Sequence, residues 1–152
     1  LFPDQAQLDR WRNWRTGLTA EFPWGQLIGA IDDLIIMGDM KSPLVQVYDY
    51  KTKGSEPKPY EPEKYYQHQL DIYCVLLKEN KFRVHDQGII AYFWPDMIIE
   101  AQQGVNVIFQ HKSFALNVDS NRGMDLINSA VKCLDGREPE RGKSCDWCQF
   151  VK

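Results

Sequence analysis

Apolar residues at the start of this chain recur at helical spacing. Leu8, Trp11, Trp14 and Leu18 lie three or four apart with charges between them, which predicts a helix over residues 4–20. Pro23 and Gly25 break that pattern. Residues 26–37 are rich in Ile and Leu and read as a strand, 38–43 as a connection, and 44–51 as a second strand. The two strands should pair as an antiparallel hairpin. Pro57, Pro59 and Pro62 make 53–63 a loop, and Pro62 suits the first turn of a helix. That helix should span 62–79, with Tyr66, Leu70, Tyr73 and Leu77 on one face. Residues 88–94 (GIIAYFW) read as a strand ended by Pro95, and 105–118 as a strand interrupted near 111–113. Asp119 or Ser120 can cap a last helix carrying Leu126, Ile127, Ala130, Val131 and Leu134, with Gly136 ending it before a polar tail. The order α-β-β-α-β-β-α predicts an α/β (α+β) chain, a mixed central sheet flanked by helices.

Composition narrows the class. The chain has 152 residues, 43% of them apolar, which fits one domain with a real core over residues 1–152. A net charge of −3 argues against a tail-type nucleic-acid binder resting on many exposed cations. It leaves room for an enzyme that needs positive charge only around an acidic site. No apolar run approaches the roughly 20 residues of a membrane span, and no signal-peptide pattern is present. Four cysteines in a composition unlike a small secreted scaffold point to a reducing, cytoplasmic setting. The chain starts at Leu1 rather than Met, so a trimmed N-terminus is expected, with the C-terminus open to the same question.

The chemistry concentrates in residues 45–54, VQVYDYKTKG. Strand alternation sends Asp49 and Lys51 to one face and Tyr50 to the other. The preceding strand carries Asp32 and Asp33, neighbours that should face opposite sides, so that only one can join Asp49. Hard cations such as Mg²⁺ take one or two carboxylates plus waters and phosphate oxygens, and a lysine alongside can orient a water or neutralise developing charge. Asp-x-Lys triplets are common, and a surface hairpin with solvated charges is the bland alternative. Two features weigh against it. The acids interrupt apolar strands, where lone charges are costly to bury, and the second strand runs straight into a polar loop where a substrate could sit.

Gly29-Ala-Ile-Asp32, then Val47-Tyr-Asp49-Tyr-Lys51-Thr-Lys-Gly54, then Gln69-Leu-Asp-Ile-Tyr73 together resemble the core of the PD-(D/E)XK nuclease superfamily in its RecB-like branch. The match is close over residues 25–80 and follows by element order elsewhere. The resemblance implies a restriction-endonuclease-like core and a Mg²⁺- or Mn²⁺-dependent deoxyribonuclease, with exonuclease action on DNA ends preferred. It implies a setting in DNA repair and recombination, phage or CRISPR-type DNA processing. It assigns Asp32, Asp49 and the carbonyl of Tyr50 to the metal, Lys51 to catalysis, and Gln69 and Tyr73 to the neighbourhood of the bound strand. The glycine spacing favours Asp32 over Asp33. The alternative is a PD-(D/E)XK-fold module that binds DNA or a complex partner without cleaving.

Two features depart from the RecB-like pattern. Residues 1–20 contain neither the His nor the Glu that such enzymes usually carry on the first helix, and Glu21 is a weak substitute. Cys145-Asp-Trp-Cys148-Gln-Phe150 resembles the start of the late cysteine cluster by which some RecB-like members hold a [4Fe-4S] centre. The upstream and third late cysteines are missing, and Cys133, expected on the apolar side of the last helix, and Cys74, on a buried helix, are poorly placed to replace them, so a cluster is expected only in a longer chain. A zinc-binding module built on the Cys145/Cys148 pair is the remaining alternative. His68, His85 and His111 read as surface residues.

Overall fold

The structure, a computed structural model, describes residues 5–39, 42–140, 142 and 145. Helix α1 (Gln5–Arg12) ends earlier than its apolar periodicity predicts. Gly17 N donates to Asn13 O at 2.7 Å, and Gly17 itself takes φ 40°, a left-handed value that stops the helix. Leu18 therefore opens a strand instead of closing the helix. Strands β1 (Leu18–Phe22) and β2 (Gly25–Gly29) form a two-stranded antiparallel sheet.

The run expected as one strand over 26–37 is two. After β2 the chain leaves that small sheet through residues 30–32 and enters the main sheet as β3 (Asp33–Met37). Buried Ile31 holds the link, its N–H donating to Trp11 O at 3.1 Å. Strand β3 pairs antiparallel with β4 (Leu44–Thr52), Asp33 opposite Tyr48.

Helix α2 (Glu61–Glu79) follows, with Pro62 in its first turn. Then come the short β5 (Arg83–Val84), the long β6 (Gln87–Ala101), β7 (Gly104–Asn117) and α3 (Ser120–Leu134). Asp119 caps α3 by accepting from Asn121 N at 2.8 Å. The main sheet has the order β3-β4-β6-β7, with β5 also paired to β4. Strands β4 and β6 are parallel, α2 serving as their crossover, and β6 and β7 are antiparallel, so the sheet is mixed.

Two expected interruptions are absent. Strand β6 runs through Pro95 because a bulge between Pro95 and Met97 absorbs the missing N–H. Strand β7 passes residues 111–113 unbroken. The two strands thus extend as an arm beyond the core, with Met97, Ile98, Val105 and Phe109 exposed on it.

Leu70, Leu76 and Leu77 of α2 are fully buried in one cluster with Val45, Val47 and Ile90 of the sheet. Each such side chain contributes about 1.5–3 kcal/mol. Helix α3 packs on α2, not on the sheet, and the approach is tight. A Cβ on Gly123 would lie 2.6 Å from the backbone oxygen of Asp71. Beside that contact Arg122 meets the wholly buried Asp71, Nε to Oδ2 at 2.5 Å and Nη2 to Oδ1 at 2.8 Å. Cys133 lies exposed on α3, against the expectation of an apolar-side position, while Cys74 is buried on α2. The mixed sheet with flanking helices is the restriction-endonuclease-like arrangement.

Candidate functional site

Strand β4 alternates buried and less buried positions, and Asp49 continues the face set by Val45 and Val47. Its carboxylate is 1% exposed, on a face otherwise built for apolar contact with α2. Such a group is costly unless it is paired. Gln69 Nε2 donates to Asp49 Oδ1 at 3.1 Å. Lys51 Nζ lies 2.6 Å from Oδ2, close enough to pair with it, but Oδ2 receives no well-directed hydrogen bond. Burial raises the pKa of Asp49 and the nearby Asp32 carboxylate raises it further, with Lys51 opposing both.

Asp32 does not sit on a strand. It closes the 30–32 link, and its position is set from two sides. Arg12 Nε donates to the Asp32 carbonyl at 2.8 Å, and the Tyr50 N–H donates to Asp32 Oδ2 at 3.0 Å. The turn of the link, and not the expected strand alternation, therefore separates it from Asp33. Asp33 points to other partners: Arg12 Nη2 at 3.1 Å and the Tyr50 hydroxyl at 3.3 Å. Asp32, Asp49, Lys51 and the Tyr50 backbone come together at the end of β4.

Gln69 and Tyr73 lie one turn apart on α2 and face this cluster. Gln69 Nε2 donates to the Tyr73 hydroxyl at 2.7 Å, and that hydroxyl donates to Ala30 O at 2.5 Å. Burial pushes the Tyr73 pKa up to about 12, against the Gln69 hydrogen bond that pulls it down, so the phenol stays neutral and remains a donor. The pair ties α2 to the link that carries Asp32. Gly29 belongs to the same contact, since a Cβ there would lie 2.5 Å from Leu76 Cδ1 and 3.3 Å from Tyr73 Cε1. The glycine of the Gly-x-x-Asp run thus clears space for α2. Gly29→Ala should cost about 1–3 kcal/mol in urea unfolding, the usual penalty of overpacking. An unchanged midpoint would show that Leu76 simply moves aside.

Periodicity placed Tyr66 on the apolar face of α2, but it has a second role. Lys51 Nζ sits 4.6 Å from the Tyr66 ring centroid, and that ring meets Tyr92 edge-on. A cation over an aromatic face is held without a competing hydrogen bond. The signal was the i, i+3 spacing of Tyr66 and Gln69 on one helix face. Lys53 is paired with Glu61 (2.5 Å), whereas Lys58 and Lys64 are exposed.

Glu21 contributes nothing to this cluster. It lies near the turn end of the β1–β2 hairpin, opposite and hydrogen-bonded to Gln26, whereas Asp32 follows the other end. The α1 side chain that reaches this link is Arg12, which also pairs with Asp9 of the same helix at 3.6 Å. Among the described residues no three His, Cys, Asp or Glu side chains gather into a metal-holding group. Two carboxylates and a backbone carbonyl still suit a hard cation that completes its shell with waters and phosphate oxygens. Asp49 Oδ2, buried and short of a directed donor, is an atom such a cation would satisfy. Among the described residues the cysteines form no comparable set. Cys145 is partly exposed and Cys148 lies outside the described residues. His68 and His111 are exposed, and His85 lies beside Asp86.

A family model described as the PD-(D/E)XK nuclease superfamily matches residues 4–152, nearly the whole chain. No curated protein and no solved structure shows significant similarity to it.

Proposed function

The chain belongs to the PD-(D/E)XK nuclease superfamily, a group that cleaves phosphodiesters with divalent metals, and from that premise we propose a Mg²⁺- or Mn²⁺-dependent deoxyribonuclease of the RecB-like branch. We place its action at DNA ends, as an exonuclease in DNA repair, recombination or phage-type processing. The observation that carries this reading is the buried Asp49 carboxylate, with Lys51 on one oxygen, Gln69 on the other and Asp32 brought alongside. A charge is retained on an apolar strand face where packing alone would favour a hydrophobic residue.

In this reading Asp32, Asp49 and the Tyr50 carbonyl hold the cation, which supplies charge stabilisation and a water of lowered pKa. Lys51 keeps an ammonium beside the attacked phosphate, where it orients the water and offsets developing negative charge. Tyr66 and Asp49 fix that ammonium from two sides. Gln69 fixes the Asp49 carboxylate and, through Tyr73, the backbone of the link bearing Asp32. The products would carry a 5′-phosphate.

Linear DNA with Mn²⁺ should be degraded while covalently closed circles of the same sequence persist. Equal loss of both forms would replace the exonuclease reading with an endonuclease. Lys51→Ala and Asp49→Ala should each lose cleavage, and unchanged rates in both would sink the site. Mn²⁺ should also raise the melting temperature of the wild type and leave that of Asp49→Ala unmoved. One observation favours the second reading, a non-cleaving DNA-binding module: the α1 side chain that meets the link bearing Asp32 is the cationic Arg12, not a carboxylate or an imidazole. That reading predicts DNA binding without Mn²⁺-dependent cleavage.

A further inference from the structure

Beyond the acidic cluster, the N-terminal end of α2 and the Tyr60 that precedes it carry an aromatic and cationic group that the proposed chemistry does not use. Tyr60 and Tyr65 are 53% and 57% exposed, and Lys64 reaches both, its Nζ 5.9 Å from one ring centroid and 5.2 Å from the other. The Tyr65 ring meets Tyr66 edge-on at 6.4 Å, and Tyr66 lies under Lys51. Aromatic contacts therefore run without a gap from the solvent to the ammonium of the candidate site.

The loop before α2 is tied down. Glu61 accepts from Lys53 Nζ at 2.7 Å and 2.5 Å and from Lys58 N at 2.9 Å, while Pro57 is buried. The negative charge of Glu61 is thereby matched, and Lys64 and Lys58 remain exposed. Helix-terminal amides are not what recommends the place, because Glu61 and Glu63 already occupy the first turn.

We propose that Tyr60, Lys64 and Tyr65 form a binding platform for an unpaired DNA strand, feeding it to Lys51. This assignment rests on the nuclease reading for its direction but names a separate set of residues. Exposed aromatic faces stack on bases of any sequence, and an adjacent cation offsets the phosphates. A duplex hides its base faces, so the platform selects single strands or frayed ends. A protein partner would use the same tyrosines through their hydroxyl and apolar edges and would show no such preference.

The test is binding, measured in EDTA so that cleavage plays no part. Fluorescence anisotropy would follow a labelled oligo-dT and a blunt duplex of equal length. The wild type should bind oligo-dT at least tenfold more tightly than the duplex. Tyr60→Ala/Tyr65→Ala should weaken oligo-dT binding by about tenfold or more. Tyr60→Phe/Tyr65→Phe, which keeps the rings, should restore it, and Lys64→Ala should reduce the salt dependence. All of these positions are exposed, and unchanged melting temperatures would confirm intact folding. Equal affinity of wild type and the double alanine variant for oligo-dT, or no preference over duplex, overturns the platform. The nuclease reading fails separately, through Mn²⁺-dependent cleavage that ignores Asp49→Ala and Lys51→Ala.

Discussion

Asp49→Asn should abolish cleavage while leaving the metal-free protein as stable as the wild type or more so. Replacing one oxygen by an amide nitrogen removes the charge that would hold a cation and keeps the side-chain shape. Charge stabilisation by a bound cation is worth several kcal/mol, so the expected loss is about a thousandfold or more. The stability effect has the opposite sign because of what surrounds the group. Burial and the neighbouring Asp32 both oppose ionisation of Asp49, and its pKa in the folded state is raised. The unfolded chain ionises more readily, so folding loses stability from this residue as pH rises through the raised value. Below the unfolded carboxylate pKa that cost is absent. The melting temperature of Asp49→Asn relative to wild type, measured in EDTA, should therefore improve on passing from acid to neutral pH. A variant that melts lower at every pH would mean that the Lys51 ion pair outweighs the burial cost.

Arg122→Ala should be the most destabilising of the single substitutions considered. It removes the guanidinium that holds both oxygens of Asp71, a carboxylate with no exposure at all. Gln67 Nε2 at 3.1 Å and Asp119 N at 2.9 Å would remain, neither with a compensating charge. Breaking a fully buried pair costs about 3–5 kcal/mol, and because the Arg122 side chain is 45% exposed about 2–4 kcal/mol is expected here. The same change removes the Arg122 Nη2 donation to Asn117 O at 3.0 Å, a tie between α3 and the end of β7. Urea unfolding gives the number directly. A loss under 1 kcal/mol would show that water replaces the guanidinium. DNA cleavage at a temperature where the variant is folded should persist, because Asp71 and Asp49 lie on separate parts of the core.

The two predictions rest on residues of different legibility. Asp32, Asp49, Lys51, Gln69 and Tyr73 could be singled out because the three ordered motifs that hold them resemble those of the superfamily. Arg122 and Asp71 could not. They are far apart in sequence, and each alone reads as a solvated charge on a helix. The same limit explains the misplaced elements. Apolar spacing cannot tell that Leu18 begins a strand, because the deciding event is the left-handed Gly17. Nor does it show that residues 30–32 cross from one sheet to another, since Ile31 is as apolar as the strand residues around it and its role comes from bonding to Trp11. The missing N–H of Pro95 marks a strand end in the sequence, whereas the bulge that accommodates it depends on pairing with β7 across the hairpin.

The β6–β7 arm has a practical consequence for anyone handling the protein. Strand β7 is an outer edge of the main sheet among the described residues, and from Gly104 to Gln110 it holds neither a proline nor a charged side chain. Ile98, on the neighbouring strand, is 68% exposed. An edge of this kind is an adhesive seam, open to any other extended chain that meets it. Colloidal behaviour at high concentration will be governed there, far from the acidic cluster, and one lysine in place of Val107 is the economical way to make concentrated samples tractable.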